Sequence, residues 1–309
     1  MTIPKSLINQ AKIDESQVNF QARFNMALQA VDDPMRAIAM EVPSTAGSEV
    51  HNWLGTVPGF SEWTDQRRVS SLRAENITLV NRDYSNAIEI GRNDILDDRL
   101  GVVMPRIDQL ASKAALHYGE LIVDSMVQGF TTGSDFGTAY DGAAFFSATH
   151  QDDSEGPIQS NTAGGAALSN AAYFAARAAM WSLTDDEDDP LGIKPDTLIV
   201  GPSQEELGLQ LTEADLIASG GAGVTNVARR TANLMISPRL VGAAASHWFL
   251  VSLSQAVRPI ILQIREAIFS DFILEGSELT LRSKKLLFGA QGRHVVGYGL
   301  WQFAHGSNA

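Results

Sequence analysis

VMPRIDQLASKAALHYGELIVDSMVQGF, residues Val103–Phe130, is the one long stretch whose apolar positions keep a helical period from end to end. Ile107, Leu110, Ala114, Tyr118, Leu121, Ile122 and Ser125 recur at spacings of three and four, with Asp108, Gln109, Lys113, Glu120 and Asp124 between them. The pattern predicts a single amphipathic helix over about 103–130. Pro105 is tolerated only in the first turn, where its missing N–H leaves no bond unmade, and Gly129 stands where a left-handed C-cap would end the helix. At 1.5 Å per residue the helix is roughly 40 Å long, well beyond the globular average, and a helix of that length spans a domain.

The segments on either side are of different character. Residues 1–45 mix charge with isolated apolar positions, so Phe20, Phe24, Met26 and Leu28 need another surface to pack on, and an extended or partly helical arm is expected. The block from 50 to 101 is dense in Trp, β-branched and turn residues. In it Ile77 and Leu79, then Ile88 and Ile90, alternate with polar neighbours at the two-residue period of strands. With Asn81-Arg82-Asp83 as the turn, this predicts a long β-hairpin. Its outer part holds Arg67, Arg68, Arg73, Glu75, Arg82 and Asp83, too little apolar surface to fold alone, so it must lie on something else.

After the long helix, about forty residues rich in Gly, Ser, Thr, Asn and Asp predict a functional or surface-lying segment, with Phe145 and Phe146 as its anchors. A second domain opens with a helix near Ser169–Leu183, capped by Ser169 or Asn170, then the strand Thr197–Val200 and a helix from Ser203 to about Ile217. Glu205 and Glu206 fall in the first turn of that last helix, where the macrodipole favours acid. Strand-like runs follow at Leu234–Ser237, Trp248–Ser252, Ile260–Ile264 and Leu286–Phe288, which makes the class α+β, and the aromatic, glycine-spaced end reads as a buried strand.

Composition sets the outer limits. The chain has 309 residues, 44% hydrophobic, enough for a sizeable core and two domains. No run approaches the eighteen or so apolar residues of a membrane span, and the first twenty residues carry charges where a secretory signal needs its apolar stretch, so neither membrane nor export is expected. With no cysteine, thiolate chemistry, disulfides and cysteine-ligated zinc are excluded. The net charge of −13 argues against a protein that grips nucleic-acid backbones.

No catalytic constellation emerges. Gly220-Gly221-Ala222-Gly223 follows a helix instead of opening one, which suits a loop and not a phosphate cradle. Asp185-Asp186-Glu187-Asp188-Asp189 lacks the spaced oxygen ligands and pivot glycine of a calcium loop. His51, His117, His150, His247, His294 and His305 have no spacing that makes a metal or acid–base pair. No catalytic, cofactor or metal residue is assigned. Lysine is absent between Glu15 and Ser112, so the hairpin and its flanks carry arginine alone, whose planar fork suits bidentate contact with carboxylates on a neighbouring chain. Arg67, Arg68, Arg73, Arg82 and Asp83 are therefore the subunit-interface candidates.

Ordered blocks of residues then carry a resemblance. His51-Asn52-Trp53-Leu54-Gly55, Glu62-Trp63, the run Asn93-Asp94-Ile95-Leu96-Asp97-Asp98-Arg99-Leu100-Gly101, Tyr140-Asp141-Gly142 with Phe145-Phe146, Ala256-Val257-Arg258-Pro259 and Gly297-Tyr298-Gly299-Leu300-Trp301-Gln302 span nearly the whole chain. Together they resemble the major head subunit family of Mu-like phages and prophages. The resemblance implies the HK97-type phage major capsid fold: an N-terminal arm at 1–45, an E-loop hairpin region at 46–95, and a peripheral domain at 96–167 with its spine helix. An axial domain at 168–285 and a C-terminal strand at 286–309 returning to the peripheral domain complete it. The function implied is self-assembly, as hexamers and pentamers of one chain, into the icosahedral shell of a tailed phage. Such a protein is not an enzyme and needs no cofactor. It would be built in the host bacterial cytoplasm with a separate scaffold protein and portal, and it would enclose DNA without tight or specific binding. An encapsulin-like compartment shell shares the fold, and a hydrolase using scattered carboxylates is the reading from another class.

Overall fold

The computed structural model describes residues 5–54, 75–97, 100–151, 157–185, 189–219, 222–273 and 285–309. In chain order its helices are α1 (Lys5–Ala30), α2 (Arg92–Leu96), α3 (Leu100–Gln128), α4 (Asn170–Trp181) and α5 (Glu205–Thr212). Its strands are β1 (Ala39–Pro43), β2 (Ser48–Leu54), β3 (Glu75–Val80), β4 (Arg82–Gly91), β5 (Thr197–Val200), β6 (Leu216–Ser219), β7 (Ala222–Thr225), β8 (Asn233–Ile236), β9 (Trp248–Val251), β10 (Ile260–Ile273), β11 (Lys285–Tyr298) and β12 (Ala304–Ser307). They form two four-stranded sheets, ordered β1-β10-β11-β4 and β12-β9-β5-β8, and two hairpins, β2-β3 and β6-β7. The chain divides into two compact units, Met1–Asp33 with Asn81–Tyr118 and Ile264–Val295, and Pro34–Val80 with Gly119–Gln263 and Val296–Ala309.

The first unit is built on aromatic packing. On α1, Ile13, Ser16, Phe20 and Phe24 lie at helical spacing and are all buried, so the N-terminal segment expected to be extended or partly helical is a helix with one apolar face. That face meets Ile107, Leu110 and Ala111 of α3 and Leu286, Phe288 and Phe272 of the strands. Phe20 lies 6.3 Å from Phe272 and 6.1 Å from Phe288, and Phe24 lies 6.0 Å from Phe288, ring centre to ring centre. At the rim Arg23 grips Asp108 with both arms of its fork, at 2.7 Å each, and this holds the Asp108 carboxyl below its usual range. The pair is exposed and water screens it, so burial of the phenylalanines is what holds α1.

α3 confirms the long helix with three amendments. It starts at Leu100, so Pro105 sits in the second turn and not the first. Of the expected stripe, Ile107, Leu110, Tyr118, Ile122 and Ser125 are buried, but Leu121 is only half-buried, because Val123 and Met126 complete the inner face. Gly129 has no positive φ. Its requirement is space, since an added Cβ would stand 3.0 Å from the Phe146 ring.

The predicted pairing of residues 77–79 with 88–90 is incorrect. β3 pairs antiparallel with β2, Ser48↔Val80 through His51↔Ile77, whereas β4 pairs with β11, Lys285↔Gly91 through His294↔Arg82. Residues 81–83 are not a turn: Asn81 is a buried passage from one pairing to the next. Alternation identifies a strand and its buried face but says nothing about which strand lies alongside.

In the second unit, β5 and β9 are buried at every position, which is why Thr197–Val200 and Trp248–Val251 read as continuous apolar runs. Ser169 caps α4 as expected, accepting the Ala172 N–H at 3.1 Å. α5 stops at Thr212 instead of near Ile217 because the Asn226 amide donates to the carbonyls of Gln210, Leu211 and Ala214 and closes the helix end, freeing Leu216–Ser219 to pair with β7. The end of the chain is not one strand. After β11 a 3-10 turn at Trp301–Phe303 leads into β12, which lies against β9.

Candidate functional site

Of the five interface candidates, Arg67, Arg68 and Arg73 lie outside the described residues. Arg82 and Asp83 open β4 opposite His294 and Arg293, and the exposed Asp83 carboxylate stands 3.3 Å from Nε of the half-buried Arg293. The polyacidic run also lies largely outside the described residues; of its ends, Asp185 is buried and its carboxylate accepts the Asp189 N–H at 2.9 Å. Among the described residues, no three His, Asp or Glu side chains converge to hold a metal ion, and no helix is long and apolar enough to cross a membrane.

The β2-β3 hairpin has one face fixed and one face bare. On its inner face His51 and Leu79 are buried, and the His51 ring nitrogen meets the Gln263 side-chain oxygen at 2.9 Å while the Gln263 amide donates to the Leu79 carbonyl at 3.3 Å. Leu79 lies so close to Gly297 that an added Cβ would stand 2.3 Å from it. At the start of β2, the Glu49 carboxylate accepts the N–H groups of Thr45 and Ala46 and the Ser44 hydroxyl, which holds its pKa below the usual range. The outer face carries Ser48, Val50, Asn52, Asn76, Thr78 and Val80, all exposed, none charged, with Val50 at 53% and Val80 at 61% exposure. A two-stranded ribbon with uncharged β-branched residues in water is only marginally stable and presents open strand edges. The β6-β7 hairpin resembles it in this respect, exposing Leu216 on one face and Val224 on the other.

The long polar segment after α3, expected to be functional or surface-lying, is buried at its centre. The turn at Ala139–Ala143 needs Gly142 in the left-handed region, at φ 78°, and places Tyr140 and Asp141 inward. The last residues of the chain then hold the segment one contact at a time. Tyr298 stacks on Phe145 at 4.6 Å and donates to the Ser125 carbonyl at 2.8 Å, its own pKa pushed up to about 12 by burial. Trp301 stacks on His150 at 4.1 Å and 4°. The Gln302 amide donates to the Tyr140 hydroxyl at 2.6 Å. Asn161, fully buried, donates to the carbonyls of Phe145, Trp301 and Ala304 and accepts the Ser147 N–H. Irregular backbone survives burial only when its polar groups are paired, and one asparagine supplies four of those pairings. The blocks Tyr140-Asp141-Gly142, Phe145-Phe146 and Gly297–Gln302 were visible in the sequence. That they touch each other was not, and nothing in the sequence singled out His150 or Asn161.

Two other buried histidines behave oppositely to paired groups. His294 has no partner for either ring nitrogen, and His305 has none for Nδ1; burial pushes both pKa values down to about 4, the nearby His117 adding to the effect at His294. His294 is enclosed by Tyr84, stacked at 4.5 Å, with Tyr118 and His117 edge-on.

The chain matches the sequence profile described as "Mu-like prophage major head subunit gpT" over residues 13–169, 159–240 and 239–309. It is 27% identical over 289 residues to the Mu-like prophage FluMu major head subunit of Haemophilus influenzae, covering 93% of this chain and 70% of that protein. It is 24% identical over 306 residues to the major capsid protein of Escherichia phage Mu, covering 96% and 74%. In structure it is similar to a chain of the procapsid of bacteriophage JBD30, with a TM-score of 0.56 at 22% identity, covering 96% of this chain and 75% of that one. That likeness shows an α+β fold shared with phage capsid subunits.

Proposed function

The chain belongs to the Mu-like prophage major head subunit gpT family, and from that premise we propose how its fold builds a shell. It is a major capsid protein of a Mu-like phage, a structural subunit of the virion head. The observation that carries this is the extent of the match, whose three segments together reach from residue 13 to residue 309. A compartment shell and a hydrolase are not favoured, and we assign the chain no catalytic step.

The β2-β3 hairpin is the element we assign to neighbouring subunits. Its base is fixed by His51, Leu79 and Gln263, and its outer face is uncharged and bare in a single chain. Against a net charge of −13 per chain, an uncharged face is where two copies approach with the least repulsion. In the sequence Arg67, Arg68 and Arg73 fall between β2 and β3, and Arg82 and Asp83 follow β3; as interface candidates they would add directional ion pairs to neighbouring subunits. We further assign residues 1–45 to the arm, 46–95 to the E-loop region, 96–167 to the peripheral domain, 168–285 to the axial domain and 286–309 to the returning C-terminal segment. Hexamers and pentamers of this one chain would close the shell in the host cytoplasm around a separate scaffold protein and a portal, enclosing DNA without binding it tightly.

The test is to replace residues 58–71 by a short Gly-Ser turn, leaving β2, β3 and β4 intact. The subunit should fold and fail to form shells by size exclusion and negative-stain imaging. Normal shells would remove residues 58–71 from the assembly contact, and normal shells from a folded Val50→Glu, Val80→Glu variant would remove the uncharged face of the hairpin.

A further inference from the structure

The edge strands of the two four-stranded sheets differ in how they are guarded against pairing with another chain, and one is bare. β1 carries Glu41 and Pro43, and β4 carries Arg82, Asp83 and Glu89. β12 is covered: the Gly306 N–H donates to the Asn161 carbonyl at 3.0 Å, and the Gly306 carbonyl accepts the Ala163 N–H at 2.9 Å. Charge, proline and a covering segment are the usual means of keeping an edge from pairing. β8, Asn233-Leu234-Met235-Ile236, has no charge, no proline and no break in its register with β5. The Asn233 and Ser237 N–H groups donate to the Asp196 and Val200 carbonyls at 2.7 and 2.9 Å. By the two-residue period of a strand, the N–H and C=O groups of Leu234 and Ile236 then point the other way. Among the described residues nothing pairs with them.

Three residues before β8, Arg230 is the one non-glycine among the described residues with a positive φ, 59°. Its backbone is held on both sides. The Arg230 N–H donates to the Thr212 carbonyl at 2.8 Å, and the adjoining Thr231 carbonyl accepts the Arg177 guanidinium at 3.1 Å. The left-handed region is costly for a residue with a Cβ and free for glycine, so the turn alone does not account for an arginine there. The neighbouring arginines are engaged within the chain, Arg229 with Asp215 and Arg239 with Asp124. The Arg230 side chain is exposed and, among the described residues, meets no carboxylate.

We propose that β8 is a docking edge for an extended segment of a second copy of this chain, which adds as a strand along Leu234 and Ile236 and sets a carboxylate on Arg230. This rests on the reading of the chain as a shell subunit. A four-residue edge offers too few hydrogen bonds to hold a free partner, and takes effect only when the partner is already kept close, as a neighbour in a shell is. A chain of net charge −13 is rich in the carboxylates that an uncommitted guanidinium takes in its fork.

The test compares free full-length subunits with purified shells. The Leu234 and Ile236 amides should exchange with solvent at least about tenfold more slowly in shells. Arg230→Gly suits the backbone and removes only the side chain, so the free variant should resist urea at least as well as wild type. It should nevertheless need at least about tenfold more subunit to form shells. Because the chain has no cysteine, Asn233→Cys supplies a unique thiol for a photo-cross-linker, which in shells should join two copies of the chain. Shells whose Leu234 and Ile236 amides exchange as they do in free subunits overturn the docking edge and leave the shell reading standing. A wild type that forms no shells overturns that reading and this one with it. Cross-links to a different protein alone overturn the choice of a second copy, and assembly of Arg230→Gly at wild-type concentrations removes Arg230 from the contact.

Discussion

Replacing His294 by phenylalanine should make the subunit more resistant to acid, although it removes a polar group. In the native chain the His294 ring is fully buried between Tyr84, Tyr118 and His117, and neither nitrogen has a hydrogen-bond partner. Its pKa is depressed from 6.5 to about 4, first by burial and then by the neighbouring His117. The folded state therefore binds this proton less readily than the unfolded state does. Stability from this site is fully present above about pH 6.5, falls steadily as pH drops from about 6.5 to about 4, and is flat below that. A shift of this size corresponds to about 3 kcal/mol, a large part of what holds a typical domain together. Phenylalanine keeps an aromatic ring of similar shape in an aromatic enclosure and cannot take up the proton. Urea unfolding of unassembled subunits, followed between about pH 7 and pH 4 by a probe in β4 or β11, should show the wild type losing about 3 kcal/mol more than the variant. Carboxylates such as Asp108, whose pKa is lowered by its bond to Arg23, lose stability in the same direction on acidification, but they do so equally in both proteins and cancel in the difference. Identical pH slopes for the two proteins would refute the claim that His294 is buried neutral.

Along the spine helix, Ile122→Ala should cost about 2–5 kcal/mol, the half-buried Leu121→Ala less, and the exposed Glu120→Ala under about half a kcal/mol; equal effects measured by denaturant titration would show the face was misassigned. Because no lysine lies between Glu15 and Ser112, the hairpin has no amine with which to form an isopeptide cross-link, and boiled particles should run as single chains near 33.3 kDa on a denaturing gel, without a ladder. A charge of −13 per copy should make shell formation easier as salt rises to about 0.4 M, where the Debye length is about 5 Å, a trend that light scattering follows. Free subunits should give no gel shift with duplex DNA at low salt; tight, salt-sensitive binding would reveal a concentrated basic face that the net charge conceals.

The sequence by itself determined what depends on local period and on composition. The spine helix, the cap at Ser169, the strand Thr197–Val200 and the burial of Phe145 and Phe146 were all legible, because 3.6- and two-residue periods and a side chain's preference for a cap or a core are properties of a few neighbouring residues. The order of distant blocks such as His51–Gly55 and Gly297–Gln302 sufficed for the family. Tertiary structure alone decided which strands pair, since Ile77 and Ile88 alternate identically whether they face each other or face His51 and Phe288. It also decided where α5 ends, because the amide that closes it comes from Asn226. Among the interface candidates, Arg82 and Asp83 were legible as charged residues, but that Asp83 meets Arg293 on its own chain depends on the register of β4 against β11. The surroundings of His150 are the furthest from the sequence: Asp141, Asn161 and Trp301 come from separate parts of the chain and meet its ring at distances that no local pattern encodes.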